Sequence, residues 1–253
     1  MKLLIDAGNT RIKWCWFDGK ELPPVYECAE HNDLDSQGVS LFQVDRSEVD
    51  EVLICNVGGE VLAESLHQIF ADWQLSPEFV RSTRQCGSVV NAYKRPEQLG
   101  TDRWMALLGA WSIRRDAVCI VDCGTAVTID VLDSKGRHLG GIIVPGIELM
   151  QDVLRDQTGG INLDDASESD SSSGLLAADT GNAIEAGTLY ALVALIDRVQ
   201  LDIATELEID LPLLINGGDA ELVQPLLSCN SAYEPMLIFQ GILATIETQR
   251  EYK

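Results

Sequence analysis

Positive charge is what this chain of 253 residues has least of: 18 lysines and arginines stand against 40 aspartates and glutamates, a formal net charge of −22. So acidic a surface repels phosphate backbones and anionic lipid headgroups, which argues against nucleic-acid and membrane partners. It repels nucleotides too, so an anion site has to be built locally from backbone amides, a few cations and metal. No apolar run approaches membrane-spanning length, and the opening residues lack the charged and apolar regions of a secretory signal. The seven cysteines (15, 28, 55, 86, 119, 123 and 229) form no C-x-x-C pair, and His31, His67 and His138 are isolated, so zinc and dithiol spacings are missing. Reduced thiols in a cytoplasmic protein are the expectation. A Walker A loop, G-x-G-x-x-G, G-x-S-x-G and H-E-x-x-H are also absent, which closes the P-loop, Rossmann, serine-hydrolase and zincin routes.

What is present is a turn that occurs twice. Leu3-Leu4-Ile5-Asp6-Ala7-Gly8-Asn9-Thr10 runs on through Arg11, Ile12 and Lys13 to Asp18. Cys119-Ile120-Val121-Asp122-Cys123-Gly124-Thr125 runs on to Asp133. With one residue dropped from the second copy, Asp6 aligns with Asp122, Gly8 with Gly124, Thr10 with Thr125 and Asp18 with Asp133. Each copy is an apolar strand ending in aspartate, a small Gly/Thr turn, and a second strand. Such a turn brings backbone N–H groups and a hydroxyl against a phosphate, with a carboxylate alongside for a cation. The copies differ in charge, because Lys13 of the first is replaced by Thr128 in the second. The first therefore suits a phosphate, and the second suits a cation.

The spacing of apolar residues organises the rest. After the first hairpin it predicts a strand over 51–57, a helix over 60–74, a strand over 77–83, and a helix over 102–114 capped by Thr101. The second hairpin restarts at 117, followed by a strand over 139–145 and a helix over 146–155. A Ser/Asp-rich run, 164–173, reads as a loop. A long helix over 179–207, a buried strand over 211–216, a helix over 219–227 and an amphipathic helix over 237–250 close the chain. Strand clusters followed by alternating helix and strand, once per half, indicate an α/β protein with a mixed sheet in each half and a boundary near Arg115-Asp116. A ligand is then expected in the cleft between the halves.

Taken singly, each motif has two readings. Asp6-Ala7-Gly8-Asn9 is good hairpin chemistry with or without a phosphate. In Gly100-Thr101-Asp102-Arg103, Thr101 and Asp102 serve as cap and dipole partner, or Asp102 is a general base beside an arginine fork for an anion. Asn216-Gly217-Gly218-Asp219 is a strand-to-helix turn, or a flat face for adenine. Asp179-Thr180-Gly181-Asn182 opens a helix, or also faces a substrate.

As an ordered set, the residues are more specific. Asp6 to Lys13, Gly100 to Arg103, Asp122-x-Gly124-Thr125-Ala126, Gly140-Gly141-x-Ile143-x-Pro145-Gly146, Thr180 to Ile184 and Asn216 to Asp219 follow one another over essentially the whole chain. The set closely resembles type III pantothenate kinase, of the acetate and sugar kinase/Hsp70/actin superfamily. The resemblance implies two ribonuclease-H-like (actin-like ATPase) domains, 1–115 and 116–253, each a mixed sheet flanked by helices, with an interdomain cleft. It implies phosphorylation of pantothenate by ATP with Mg²⁺, the first step of coenzyme A synthesis, in a homodimer whose second protomer helps form the pantothenate pocket.

By position, Asp6, Ala7, Gly8, Asn9, Thr10, Arg11, Ile12 and Lys13 match the first phosphate loop, and Thr125 matches a nucleotide contact. Asp122 matches the ligand of a monovalent cation, K⁺ or NH₄⁺. Asp102 matches the catalytic base, and Tyr93, Gly100, Thr101, Asp102, Arg103 and Thr180 match pantothenate-binding positions, with Arg103 expected to orient the pantothenate carboxylate. Gly217 and Gly218 match the adenosine-side turn. The rival readings are a transcription-accessory relative without kinase activity and a kinase or phosphatase of the same superfamily acting on another small acceptor.

Overall fold

A computed structural model of the protein describes residues 1–43, 45–157 and 176–251. The Ser/Asp-rich run 164–173 lies outside them. The described residues form two five-stranded sheets and a short hairpin. The first sheet uses β1 (Lys2–Ala7), β2 (Arg11–Phe17), β3 (Glu27–Glu30), β4 (Glu51–Asn56) and β5 (Glu78–Phe79), ordered β3-β2-β1-β4-β5. Interleaved with these are α1 (His31–Gln37) and α2 (Gly59–Ala71). The small hairpin β6 (Gln85–Cys86) and β7 (Val89–Val90) precedes α3 (Thr101–Arg114).

The second sheet uses β8 (Val118–Cys123), β9 (Ala126–Leu132), β10 (His138–Pro145), β11 (Leu213–Asn216) and β12 (Ser231–Tyr233), ordered β10-β9-β8-β11-β12. Its helices are α4 (Ile147–Gln157), α5 (Thr180–Leu207) and α6 (Ala220–Val223), and α7 (Leu237–Glu251) ends the chain. Counted within each sheet, both orders are third, second, first, fourth, fifth. The repeat read in two turns is thus a repeat of whole sheet topology.

In the first sheet, β1 pairs antiparallel with β2 and parallel with β4. Leu3, Leu4 and Ile5 are all fully buried, so β1 is covered on both faces. Leu3, Ile5, Ile12 and Trp14 pack with Leu34, Leu62, Leu66 and Phe70 of α1 and α2. Trp14 meets Phe42 edge-on with ring centroids 5.3 Å apart, and Phe42 stacks on Phe70 at 5.4 Å. On the other side α7 contacts β1, α3 contacts β4, and the two helices pack on each other.

That helix pair is held by an unusually close crossing. A Cβ on Gly109 would run into the Leu237 carbonyl, and one on Gly241 would run into the Met105 carbonyl. The two backbones touch because neither position has a side chain, and the crossing anchors α3 behind the Gly100–Arg103 motif.

Compactness divides the chain differently from the sheets. One unit comprises Met1–Ile120, Asp130–Gly141 and Glu234–Lys253, and the other Val121–Ile129 and Ile142–Tyr233. The first sheet lies before Arg115 and the second after Asp116, and the compact units cut across that division. α7 belongs with the first because it packs on α3. In the second unit, α5 buries Thr188, Leu192, Val193 and Ile196 and packs with α4 and α6.

Other differences have local causes. The strand predicted over 77–83 shrinks to Glu78–Phe79, where β5 pairs with Leu53 and Ile54. The helix predicted over 219–227 is a single turn that passes into a 3₁₀ segment, Gln224–Leu226, because Pro225 has no N–H to continue it. α3 begins at Thr101, and its N-cap is Gly100 with no side-chain cap bond. No helix among the described residues is long and apolar enough to cross a membrane.

The crossing gives a direct test. Gly241→Ala forces α7 off α3, and overpacking of this kind costs about 1–3 kcal/mol, or roughly 2–12 °C in Tm for a chain of this size. Calorimetry of the variant reads this loss; a Tm equal to that of the wild type contradicts the close contact.

Candidate active site

The first turn is built at the end of β1. Across the hairpin, Asp6 sits opposite Lys13 and Ala7 opposite Ile12. The Gly8 N–H donates to the Arg11 carbonyl, 3.1 Å, and closes the turn. Asp6 is buried, and Asn9, Thr10 and Arg11 are exposed at the tip. Ala7 and Ile12 are fully buried in the core, so at these two positions only the backbone is available to a ligand. The Lys13 ammonium lies over the Tyr26 ring, 5.2 Å from its centroid.

Residues outside the predicted set press on this turn. His31 Nε2 donates to the Gly8 carbonyl at 3.1 Å. A Cβ on Gly58 would come within 2.9 Å of the same oxygen. Asn56, the last residue of β4, accepts from the Gly58 N–H at 3.0 Å and donates to the Gly59 carbonyl at 2.9 Å.

The second unit repeats the device. Gly217 has φ +99°, and a Cβ there would collide with the Cys123 backbone. The Asp219 N–H donates to the Cys123 carbonyl, 3.0 Å. On the other side the Gly146 N–H donates to the Thr125 carbonyl, 2.8 Å. Gly218 has open space where a side chain would stand, as a ligand face requires. β4 and β11 hold the same place in their sheets, and each ends in asparagine followed by a Gly-Gly turn: Asn56 before Gly58-Gly59, and Asn216 before Gly217-Gly218. The echo was readable in the sequence, but only beside the sheet order. Buried Asn216 keeps an amide Nδ2 without a protein partner, a donor a ligand can use.

Asp122, near the end of β8, is partly buried, and Thr125 is exposed on its turn. Burial, and then the negative charges of Asp122 and Asp219, push the Cys123 thiol well above its usual range. Two carboxylates therefore concentrate negative charge at this turn. Among the described residues no group of three or more His, Cys, Asp or Glu side chains is arranged to hold a metal.

The third cluster surrounds the first turn of α3. Burial raises the Asp102 carboxyl above the ordinary range, and the charge of Asp130 adds to the rise; the Arg103 N–H, 2.8 Å from Oδ1, and the Arg103 charge oppose it. Arg103 is buried, and each of its three guanidinium nitrogens makes one hydrogen bond. Nε donates to Asp130 Oδ2 at 2.8 Å, Nη2 to Asp130 Oδ1 at 2.6 Å, and Nη1 to the Tyr93 hydroxyl at 3.1 Å. Burial works against this cation, but the Asp130 bonds more than offset it and hold its pKa above the usual value. The fork expected to grip a substrate carboxylate is thus turned onto Asp130.

The structure therefore brings Tyr93, Asp102 and Arg103 together, with Asp130 and His138 added to them. Ser82 steadies the approach to α3, its hydroxyl donating to the Leu99 carbonyl at 2.8 Å. Thr180 belongs to the other unit, exposed at the start of α5, where the Asp179 carboxylate caps the helix by accepting from the Asn182 N–H at 2.9 Å.

A family profile described as type III pantothenate kinase matches residues 2–201. The type III pantothenate kinase of Nitrosococcus oceani is 41% identical over 248 residues, spanning 96% of this chain and 92% of the relative. That of Dichelobacter nodosus is 31% identical over 256 residues, spanning 99% and 100%. Among solved structures, one assigned to the Baf family of transcriptional activators, from Campylobacter jejuni, superposes with a TM-score of 0.59 at 21% identity over 98% of this chain and 99% of the other. A structure assigned as a 2-dehydro-3-deoxygalactonokinase, from Sinorhizobium meliloti, gives 0.57 at 13% identity over 98% of each chain. At such identities the structural likeness speaks for the fold alone: an α/β protein of the actin-like ATPase and sugar kinase class.

The raised Asp102 carboxyl has a measurable consequence. Its proton is held more tightly in the folded chain than in the unfolded one, so it favours folding below the ordinary carboxylate range. That advantage is lost as pH rises through the raised value. Asp102→Asn removes the buried charge, so at pH 7 it should melt above the wild type, and the two should converge below about pH 4. If Asp102 is the base, the same variant loses about 10²–10⁴-fold in turnover. A variant that melts below the wild type at pH 7, or turns over at its rate, contradicts the assignment.

Proposed function

The chain belongs to the type III pantothenate kinase family, and from that premise we propose how its residues phosphorylate pantothenate, the opening step of coenzyme A synthesis. ATP with a divalent ion supplies the phosphoryl group and neutralises its charge. Phosphoryl transfer has a loose transition state, so the protein contributes mainly positioning and electrostatics.

The observation that carries the reading is Asp102. It is a partly buried carboxyl with a raised pKa, in the first turn of a helix locked from behind. Such a carboxyl holds a proton better than an exposed aspartate does, which suits it to accept the proton of the pantothenate hydroxyl as that oxygen attacks phosphorus. Tyr93 and the Gly100–Arg103 turn take pantothenate, and Thr180 is assigned to the same substrate by its match to the family's position.

We assign the turn from Asp6 to Lys13, with Thr125, to ATP. The exposed Asn9 and Thr10 and the cross-strand Asp6–Lys13 pair support this. Gly217 and Gly218 are assigned to the adenosine side, supported by the open face at Gly218 and the unsatisfied Asn216 amide. Asp122 is assigned a monovalent cation, K⁺ or NH₄⁺. The negative charge that Asp122 and Asp219 focus on Cys123 supports a cation there, and carboxylate and carbonyl oxygens are the hard ligands such an ion takes.

A homodimer is supported by apolar side chains exposed on the second unit: Ile142, Ile143, Leu149, Val153, Leu154 and Leu201. The free cysteines support a reducing, cytoplasmic setting. The fold shared with a Baf-family protein, at 21% identity, brings no regulatory role to this chain.

One preparation tests these assignments. ADP release, coupled to a reporter, should depend on pantothenate and fall severalfold when K⁺ is replaced by Na⁺. Light scattering should read twice the chain mass of 27.7 kDa. ATP hydrolysis indifferent to pantothenate sinks the kinase reading. Turnover equal in Na⁺ removes the cation from Asp122, and a monomer mass removes the dimer.

A further inference from the structure

Asp130 and His138 are 2% and 4% exposed, and the matched family motifs include neither of them. Asp130 receives Arg103 through two donors and His138 through a third, Nε2 lying 2.9 Å from the same Oδ1 that Arg103 Nη2 reaches. The Ala92 N–H approaches His138 Nδ1 at 3.5 Å, which leaves Nε2 as the donor to Asp130. The three side chains form one closed network inside a single compact unit.

Both ends of that network terminate on Tyr93. The Tyr93 ring lies nearly parallel to the His138 ring, with 12° between planes and 6.2 Å between centroids. Its hydroxyl accepts from Arg103 Nη1 at 3.1 Å, and the guanidinium carbon is 5.8 Å from its ring centroid. The loop that carries Tyr93 is pinned separately, by Arg84 Nη1 donating to the Tyr93 carbonyl at 2.6 Å and by the Tyr93 N–H donating to Asn91 Oδ1 at 2.9 Å. A phenol that accepts from a guanidinium keeps its own proton to donate, and the charged donor strengthens that outgoing bond.

We propose that Asp130 and His138 are positioning residues for pantothenate recognition: they lock Arg103 and Tyr93 so that the Tyr93 hydroxyl presents its proton to the acceptor. The inference rests on the assignment of Tyr93 and Asp102 to the pantothenate site. It also changes the part given to Arg103. Its fork organises the site from within, and the substrate meets the tyrosine at the end of the network.

A double-mutant cycle tests this, with His138→Gln, Tyr93→Phe and the double variant assayed for KM of pantothenate and of ATP separately. His138→Gln should lower kcat/KM for pantothenate about 10-fold or more, the scale of a misplaced binding group, with KM for ATP unchanged. In the Tyr93→Phe background the same substitution should add little, because both act through one phenol. Additive losses, or equal losses for both substrates that follow a fall in Tm, overturn the proposal. Should His138→Gln not fold, Asp130→Asn replaces it in the cycle. A wild type without pantothenate-dependent turnover would sink the functional reading instead, and the two failures are told apart before any variant is made.

Discussion

The Arg103–Asp130 pair is the interaction on which the proposed acceptor site depends. Both charges are out of water and joined by two short hydrogen bonds, so their desolvation is offset only while the geometry holds. Removing one partner of such a pair typically costs about 3–5 kcal/mol, because the other charge is stranded. Replacing both with apolar groups is often neutral, so stability alone is a weak reason for the pair. It fixes direction instead. Arg103 follows Asp102 on α3, and the glycine crossing of α3 with α7 holds that helix from behind. The buried pair then sets the first turn from below.

The two halves show how a duplicated frame acquires unlike jobs. Each sheet has the same strand order, an aspartate one residue before the end of its first strand, and an Asn then Gly-Gly turn packed on the first turn. The differences lie on the second strand. Lys13 of β2 becomes Thr128 in β9, which removes the cation from the second turn. Two residues on, Cys15 becomes Asp130. Cys15 is an inert core thiol, its pKa pushed up to about 12 by burial, whereas Asp130 at the matching place is a buried charge that needs Arg103. A packing position in the first sheet is thus matched in the second by the root of the proposed acceptor site.

Much of this was legible in the sequence because it is local. The two hairpins, α2 and α3 follow from periodicity, and α5 from periodicity together with its Asp179 cap; the cap of α3 was expected at Thr101 and is Gly100. The ordered motifs were legible as a family set. The short pieces were not: β3 and α1 lie in a stretch without strong periodicity, β5 spans two residues, and Pro225 stops a helix that the apolar pattern alone would continue. Asp130 and His138 were missed because neither belongs to a motif. One weak signal existed, an aspartate in β9 between the buried Ile129 and Val131, and only the fold reveals that Arg103 meets it. The engagement of the Arg103 fork was likewise invisible, since spacing says where a guanidinium starts and not which carboxylate reaches it first. Nor did the boundary near Arg115 reveal that α7 returns to pack on α3.

A chain with net charge −22 binds a triphosphate and an anionic acid only by setting its few cations with care. Lys13 stands across the hairpin from Asp6, and Arg103 is fixed by Asp130. The edge of this arginine formed by Nε and Nη2 is held by Asp130, and on the proposed reading it stays so when the substrate binds. The most direct measurement is ¹⁵N NMR of the Arg103 side chain, before and after saturating pantothenate. The account predicts an Nε–H that exchanges slowly with solvent and keeps its chemical shift when pantothenate binds. Fast exchange in the free protein, or a large Nε shift on binding, would contradict it.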